Sequence, residues 1–301
     1  MKTTSGFLLL IIAILMSSCI ADMRTRQLKR EGLTPTNELK GKMLLEATWQ
    51  KHGFESLKGF STYSFEGKDT WKGLFGKLGK VWPENQSTIS FKYVIGTFDG
   101  QVRFEDGKEE GSAAGLQSWH YYEIDPDGAL NFKETDERIA FGISAYQYLI
   151  ELLDRLRQAP VIAYAGEKIF RDTEYQIVFA TWEKPEPHRE HDQYQLWINK
   201  ETGLLDFAVY SVRDNFLKLP GSGWFYGSIQ FDDYREIDGV LIPHEQTVYL
   251  NKPKKNPKRH LHRLQISDFR FDDFELEELY PDPEIKPVGD RKKIEAKGAG
   301  R

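Results

Sequence analysis

Thiols, net charge and long apolar runs are all scarce in this sequence. With Cys19 the single cysteine among 301 residues, no intramolecular disulfide can form and a cysteine-ligated zinc or iron–sulfur site lacks its thiolates. Forty-one basic against 46 acidic side chains give a formal charge of −5, so no broad positive field exists to hold a nucleic acid. G-x-S-x-G, P-loop, H-E-x-x-H and paired-cysteine signatures are missing, which removes the enzymes those motifs serve. One apolar run stands out, Phe7 to Met16; at about 1.5 Å per helical residue it reaches about half of a ~30 Å hydrocarbon core, too little for a permanent span. What is abundant is core material: 40% apolar and 13% aromatic residues suffice for one substantial core or two small ones.

Lys2, the apolar run and the small pair Ser17-Ser18 ahead of Cys19 have the layout of a secretory signal. Leu15-Met16-Ser17-Ser18-Cys19 resembles the lipobox of bacterial lipoproteins, with Met16 where leucine is commonest. The resemblance implies removal of residues 1–18 and lipidation of Cys19 by diacylglycerol and an amide-linked chain such as palmitate. Each buried CH₂ then contributes about 0.8 kcal/mol to membrane retention. The plain alternative is a small hydrophobe inside an ordinary signal cut after Ser18. Ile20, and not Asp, follows the cysteine, which by the same resemblance favours an outer-membrane lipoprotein of the bacterial envelope, with periplasmic and surface faces both open. Residues 19–35 carry Arg24, Arg26, Lys29 and Arg30 without apolar periodicity and are expected to form a flexible tether.

Thr34-Pro35-Thr36 opens a helix in which Leu39, Met43, Leu44 and Ala47 are expected to form the apolar, inward face. From Phe60 the period falls to two, and segments rich in Tyr, Phe, Trp, Val and Ile alternate with turn signals such as Phe98-Asp99-Gly100 and Asp125-Pro126-Asp127-Gly128. Eleven or twelve strands result. One helix interrupts them, with Ile143, Tyr146, Leu149, Ile150, Leu153 and Leu156 at helical spacing, and it is expected to cover a sheet face. Along Glu174 to Trp182 both alternating faces are apolar, which a curled sheet around an interior and a sandwich explain equally. Residues 281–301, rich in Pro, charge and Gly, are expected to be a disordered tail.

Leu196-Trp197-Ile198-Asn199-Lys200-Glu201-Thr202-Gly203-Leu204-Leu205, with Tyr234-Arg235-Glu236-Ile237-Asp238-Gly239-Val240-Leu241-Ile242-Pro243, resembles the LolA/LolB-like superfamily of bacterial envelope proteins, mainly over residues 170–250. The resemblance implies a mainly β, α+β fold over residues 36–280: a curved antiparallel sheet of about eleven strands forming an unclosed half-barrel with covering helices over a hydrophobic cavity. It carries over no catalytic residue; from the residues themselves no cofactor and no metal are expected. Physically these segments are turn devices, Gly203 and Asp238-Gly239 supplying the reversals.

Other constellations are weaker. His188 and His191, and His260 and His262, offer two imidazoles each, fewer than a metal centre needs, and are expected to be solvated. Asp232-Asp233 and Asp272-Asp273 are sequence neighbours, which on a strand point to opposite faces. Gly73, Gly76 and Gly79 lack the strand–helix context of a phosphate loop and suggest flexibility, in an exposed loop beginning at Trp71. Lys252, Lys254, Lys255, Lys258 and Arg259 make a basic loop suited to anionic head groups or to plain solubility. The expected function is therefore non-catalytic: a lipid-anchored protein binding a lipoprotein acyl chain or other lipid in a cavity lined by Tyr175, Ile177, Phe179, Trp182, Leu196, Ile198, Phe207, Phe225, Ile229 and Phe231. The alternatives are a packed scaffold that recruits another envelope protein, and, further off, a hydrolase with an unfamiliar site. A vacant apolar space under the helix near 140–157 would favour the first, and a filled interior the second.

Overall fold

The computed structural model describes residues 20–213 and 222–285. The signal segment, Cys19 and residues 286–301 of the expected tail lie outside the described residues. Thirteen strands form one antiparallel sheet: β1 (Thr62–Trp71), β2 (Gln86–Val94), β3 (Gly100–Phe104), β4 (Ala113–Gln117), β5 (His120–Ile124), β6 (Leu130–Phe132), β7 (Val161–Phe170), β8 (Thr173–Thr181), β9 (Gln193–Asn199), β10 (Leu205–Ser211), β11 (Tyr226–Ile237), β12 (Val240–Leu250) and β13 (His262–Phe271). The order β6-β5-β4-β3-β2-β1-β13-β12-β11-β10-β9-β8-β7 leaves β6 and β7 as unpaired edges, so the sheet is unclosed. The helices are α1 (Arg26–Glu31), α2 (Pro35–Lys51), α3 (Gly73–Gly79), α4 (Glu137–Ile150) and α5 (Leu152–Arg157). None of these is long and apolar enough to cross a membrane. The count exceeds the expected eleven or twelve strands by β4, an Ala-Ala-Gly-Leu-Gln stretch buried at every position, which shows neither alternation nor β-branched residues.

The chain divides into two compact units. Among the described residues, the first comprises 20–45, 159–213, 222–230 and 249–259. In its sheet, Ala163, Phe179, Gln195 and Val209 stand opposite one another, as do Tyr164, Val178, Leu196, Ala208 and Ile229. Residues directly opposite share a face, so these two rows define the two sides. On the Phe179 side Tyr175, Ile177, Trp197, Phe207 and Val209 form one buried cluster whose upper layer is Met23 and Leu28.

Residues 21–33 are thus not a free tether. The Met23 amide donates to Gln193 Oε1 at 3.0 Å, the Thr25 hydroxyl donates to the Ala165 carbonyl at 2.6 Å and caps α1 by accepting from Leu28 N. The physical reason is sparse but sufficient apolar content: two side chains, Met23 at 4% and Leu28 at 2% exposure, each stabilise docking by about 1.5–3 kcal/mol, while Asp22 pairs with Arg24 at 3.1 Å and with Lys29 at 3.0 Å.

On the other side lies α2, turned opposite to expectation. Leu39 and Met43 are 62% and 64% exposed, while Asn37 and Leu45 are buried. Gly41 explains the rotation, because a Cβ there would come within 2.4 Å of Ala163 C and Tyr164 N, so only glycine lets the helix backbone lie on β7.

The second unit comprises, among the described residues, 46–158, 231–248 and 260–285. Its core is aromatic: Phe65 and Phe91 stack at 4.6 Å, and Phe91 and Tyr146 at 5.4 Å. Asp136 caps α4, accepting from the amides of Arg138 and Ile139, and the helix lays Ile143, Tyr146 and Ile150, all 5% exposed or less, on the sheet. Trp49, at the end of α2, donates its indole N–H to Asp154 Oδ1 at 2.9 Å. Residues 281–285 continue the order past Pro281: Gln117 donates to the carbonyls of Asp282 and Ile285 and accepts from the Asp282 amide.

Candidate functional site

The ten residues expected to line one cavity are not brought together. Tyr175, Ile177, Phe179 and Phe207 belong to the cluster roofed by Met23 and Leu28. Leu196 and Ile229 face the other side, with Ile198 following them by alternation along β9, while Phe231 belongs to the second unit and is buried there. Trp182 stands beyond the end of β8, its ring 6.3 Å from that of Tyr194. Phe225 precedes β11 and is 43% exposed. A strand pattern apolar on both faces gives no sign of which face is which, and this explains the mixture.

The space under α4 is occupied by side chains. Trp82, Phe91, Tyr93 and Ile143 are all fully buried there. At its centre lies a polar cluster that sequence alone did not assemble. Tyr146 Oη donates to Asp69 Oδ2, and Trp82 Nε1 donates to the same oxygen at 2.9 Å. His262 Nε2 lies 2.8 Å from Tyr146 Oη and 3.0 Å from Asp69 Oδ1, and Trp71 stacks on its ring at 4.2 Å.

Burial, and next the Asp69 charge, push the Tyr146 hydroxyl well up from its ordinary range, so it serves as a proton donor to the carboxylate and not as a base. Asp69 and Trp82 have no exposure; the cluster is sealed and fastens α4 to β1 and β13. A second buried set lies at the end of α4, where Arg155 Nη2 and Glu151 Oε2 pair at 2.8 Å. Burial raises the Glu151 carboxyl, and the Arg155 charge pulls it back down.

The histidines depart from the expected solvated state. His188, His260 and His262 are 4%, 8% and 4% exposed; His188 Nδ1 accepts from the His191 amide and His262 Nε2 lies within hydrogen-bond distance of Tyr146 Oη, so burial leaves these two rings with polar partners. Glu183, His188 and Glu190 bring one possible ligand atom each within 4.8 Å of one another. Both carboxylates are exposed there, and His188 Nδ1 already accepts from the His191 amide at 3.2 Å. Asp272 and Asp273 are structural acceptors, for the Thr62 amide and the Ser64 hydroxyl. The segment read as a flexible glycine loop is α3, from which Leu74, Phe75 and Leu78 project 50–70% exposed.

An open apolar surface also lies on α2. A groove of about 600 Å³, open along its length, is lined by Pro35, Thr36, Leu39, Lys40, Met43 and Leu44. Lys40 Nζ sits 3.5 Å above the Tyr164 ring, so the one charge of the lining is turned onto an aromatic face and leaves the floor apolar. The i, i+4 spacing of Leu39 and Met43 signalled an apolar stripe; the stripe faces outward because Gly41 and Leu45 take the inner side.

No family model matches the chain, and no curated protein matches it. Solved structures do. A domain from Vibrio parahaemolyticus assigned to outer-membrane lipoprotein sorting superposes with a TM-score of 0.50 at 12% identity, over 81% of this chain and 98% of that one. A DUF1329 family protein of Desulfovibrio piger gives 0.48 at 15% identity over 82% and 99%, and a LolA superfamily protein of Nitrosomonas europaea gives 0.46 at 10% over 79% and 96%. The unclosed antiparallel sheet with its helices, together with the Lys200–Gly203 and Asp238-Gly239 hairpins, gives this chain a LolA/LolB-like fold.

Proposed function

We propose that this is a non-catalytic bacterial envelope protein, acylated at Cys19, that binds an acyl chain on the outer face of α2. The observation that carries the reading is the groove of about 600 Å³ with Leu39 and Met43 more than 60% exposed at its floor. It is an open apolar face of one helix and not an enclosed cavity, and a contiguous exposed apolar surface is the kind of feature that a partner covers. The Vibrio domain of like fold is named for lipoprotein sorting, which supports an acylated client. Mass spectrometry of lipids co-purifying with the mature chain, and titration with a fluorescent fatty acid, test this; a lipid-free protein that ignores the probe overturns it.

A second reading, a scaffold that recruits another envelope protein, draws on the filled interior. Phe179 and Leu196 on the two faces of the first unit, and Phe91 in the second, are all completely buried. Under this reading the groove receives the apolar face of a protein, and cross-linking from position 43 captures polypeptide instead of lipid.

A further inference from the structure

The sheet end formed by Ala21, Arg213 and Gly223 is tied into a single rigid piece. The Ala21 amide donates to the Gly223 carbonyl at 2.8 Å. Arg213 spans the same two residues, Nη1 donating to Gly223 O at 3.0 Å and Nη2 to Ala21 O at 2.5 Å. The Arg213 amide is itself held by Asp192 Oδ1 at 2.8 Å, and that oxygen also accepts from the Ser211 hydroxyl at 2.9 Å. Residues 21, 192, 211, 213 and 223 are therefore joined by one continuous set of hydrogen bonds.

Immediately beyond the tie, Trp224 and Phe225 are 39% and 43% exposed. Trp224 is the one exposed tryptophan of the seven in the chain. Covalent geometry sets the rest: two residues of chain reach at most about 7 Å, so a group attached at Cys19 cannot stray far from Ala21 and hence from the Trp224-Phe225 pair. Amphipathic rings of this kind settle at the boundary between head groups and acyl chains.

We infer that Trp224 and Phe225 form a membrane-docking edge that inserts into the bilayer beside the acyl anchor, holding the body at a fixed orientation instead of on a leash. The occupant is a lipid bilayer, and the proposal rests on the reading of Cys19 as acylated. Three features favour a bilayer over a protein partner: the edge is adjacent to the anchored residue, its side chains are rings suited to the interface, and the tie through Arg213 removes the slack that would let it leave the surface.

The test uses the full mature protein, its Cys19 modification checked by mass spectrometry, reconstituted into vesicles of phosphatidylethanolamine and phosphatidylglycerol whose acyl chains carry bromine as a quencher. Tryptophan emission is expected to be quenched relative to unbrominated vesicles, with most of that quenching lost in Trp224→Phe. Arg213→Gln is expected to remain acylated and to show at least a twofold smaller quenching, because the end is released from Ala21. An acylated protein quenched equally with and without Trp224 overturns the docking edge and leaves the anchor standing. An unmodified Cys19 overturns the anchor reading and the proposal with it.

Discussion

Replacing Leu39 and Met43 together by glutamine removes the floor of the α2 groove while keeping residues of high helix propensity. Full burial of a leucine or methionine side chain stabilises by about 1.5–3 kcal/mol. With 62% and 64% of their surface still exposed, each has roughly 1–2 kcal/mol left to gain from a ligand. The pair therefore contributes about 2–4 kcal/mol to binding, and its loss weakens a fatty-acid probe by roughly 30- to 800-fold. Folding is scarcely touched, since exposed substitutions usually stay within about 0.5 kcal/mol. Fluorescence titration of wild type and the double variant, with urea unfolding of both, separates the two effects. If the variant retains wild-type affinity at unchanged stability, the groove is not the binding surface and the reasoning from exposure fails.

Burial drives the His52 pKa down to about 4, against a favourable backbone hydrogen bond to Leu241. The unfolded imidazole takes its proton near 6.5, so the stability of the neutral form is complete above that pH and is lost as pH falls toward 4, by up to about 3 kcal/mol. Urea midpoints between pH 7 and 4 should show that slope, and His52→Gln should flatten it. Gly41→Ala places a methyl group within 2.4 Å of the β7 backbone and should destabilise by about 1–3 kcal/mol through displacement of α2, read as a lowered melting temperature. Arg155→Met leaves Glu151 buried without its cation and should destabilise by about 3–5 kcal/mol at neutral pH, with part recovered by also changing Glu151 to Gln. Cys19→Ser should move the protein from the membrane to the soluble fraction of a cell extract, and its retention in the membrane fraction would refute the anchor.

Much of the sheet was legible because its hairpins carry local chemistry. Asp238 and Gly239 both take positive φ, 48° and 85°, the requirement of a tight hairpin turn, and the β2–β3 hairpin follows its own alternation and the Phe98-Asp99-Gly100 turn. The strand that went unseen, β4, is built of small residues in which Gly115 lies against the Tyr122 ring, a cross-strand fit that leaves no period in the sequence. The site was less legible. Leu39 and Met43 read as an inward stripe because large apolar side chains normally seek the core; only the close approach at Gly41, a contact with residues more than a hundred positions away, decides otherwise. Asp69, Tyr146 and His262 meet across three elements, and the spacing of single residues in a chain carries no record of such a meeting.

The break in β7 has a consequence for how copies of this protein coexist. A ten-residue strand at the rim of a sheet is a standing invitation to another strand. Here its pairing slips between Tyr164 and Glu167, with Gly166 at φ 104°, a distortion of the kind that bends a strand away from regular pairing. The Ala165 carbonyl, one of the outward acceptors a newcomer would need, is already taken by the Thr25 hydroxyl. At the opposite rim β6 has only three residues, too short a template to hold a guest. Among the described residues both margins of the sheet are thus blunted against pairing with a strand of another copy.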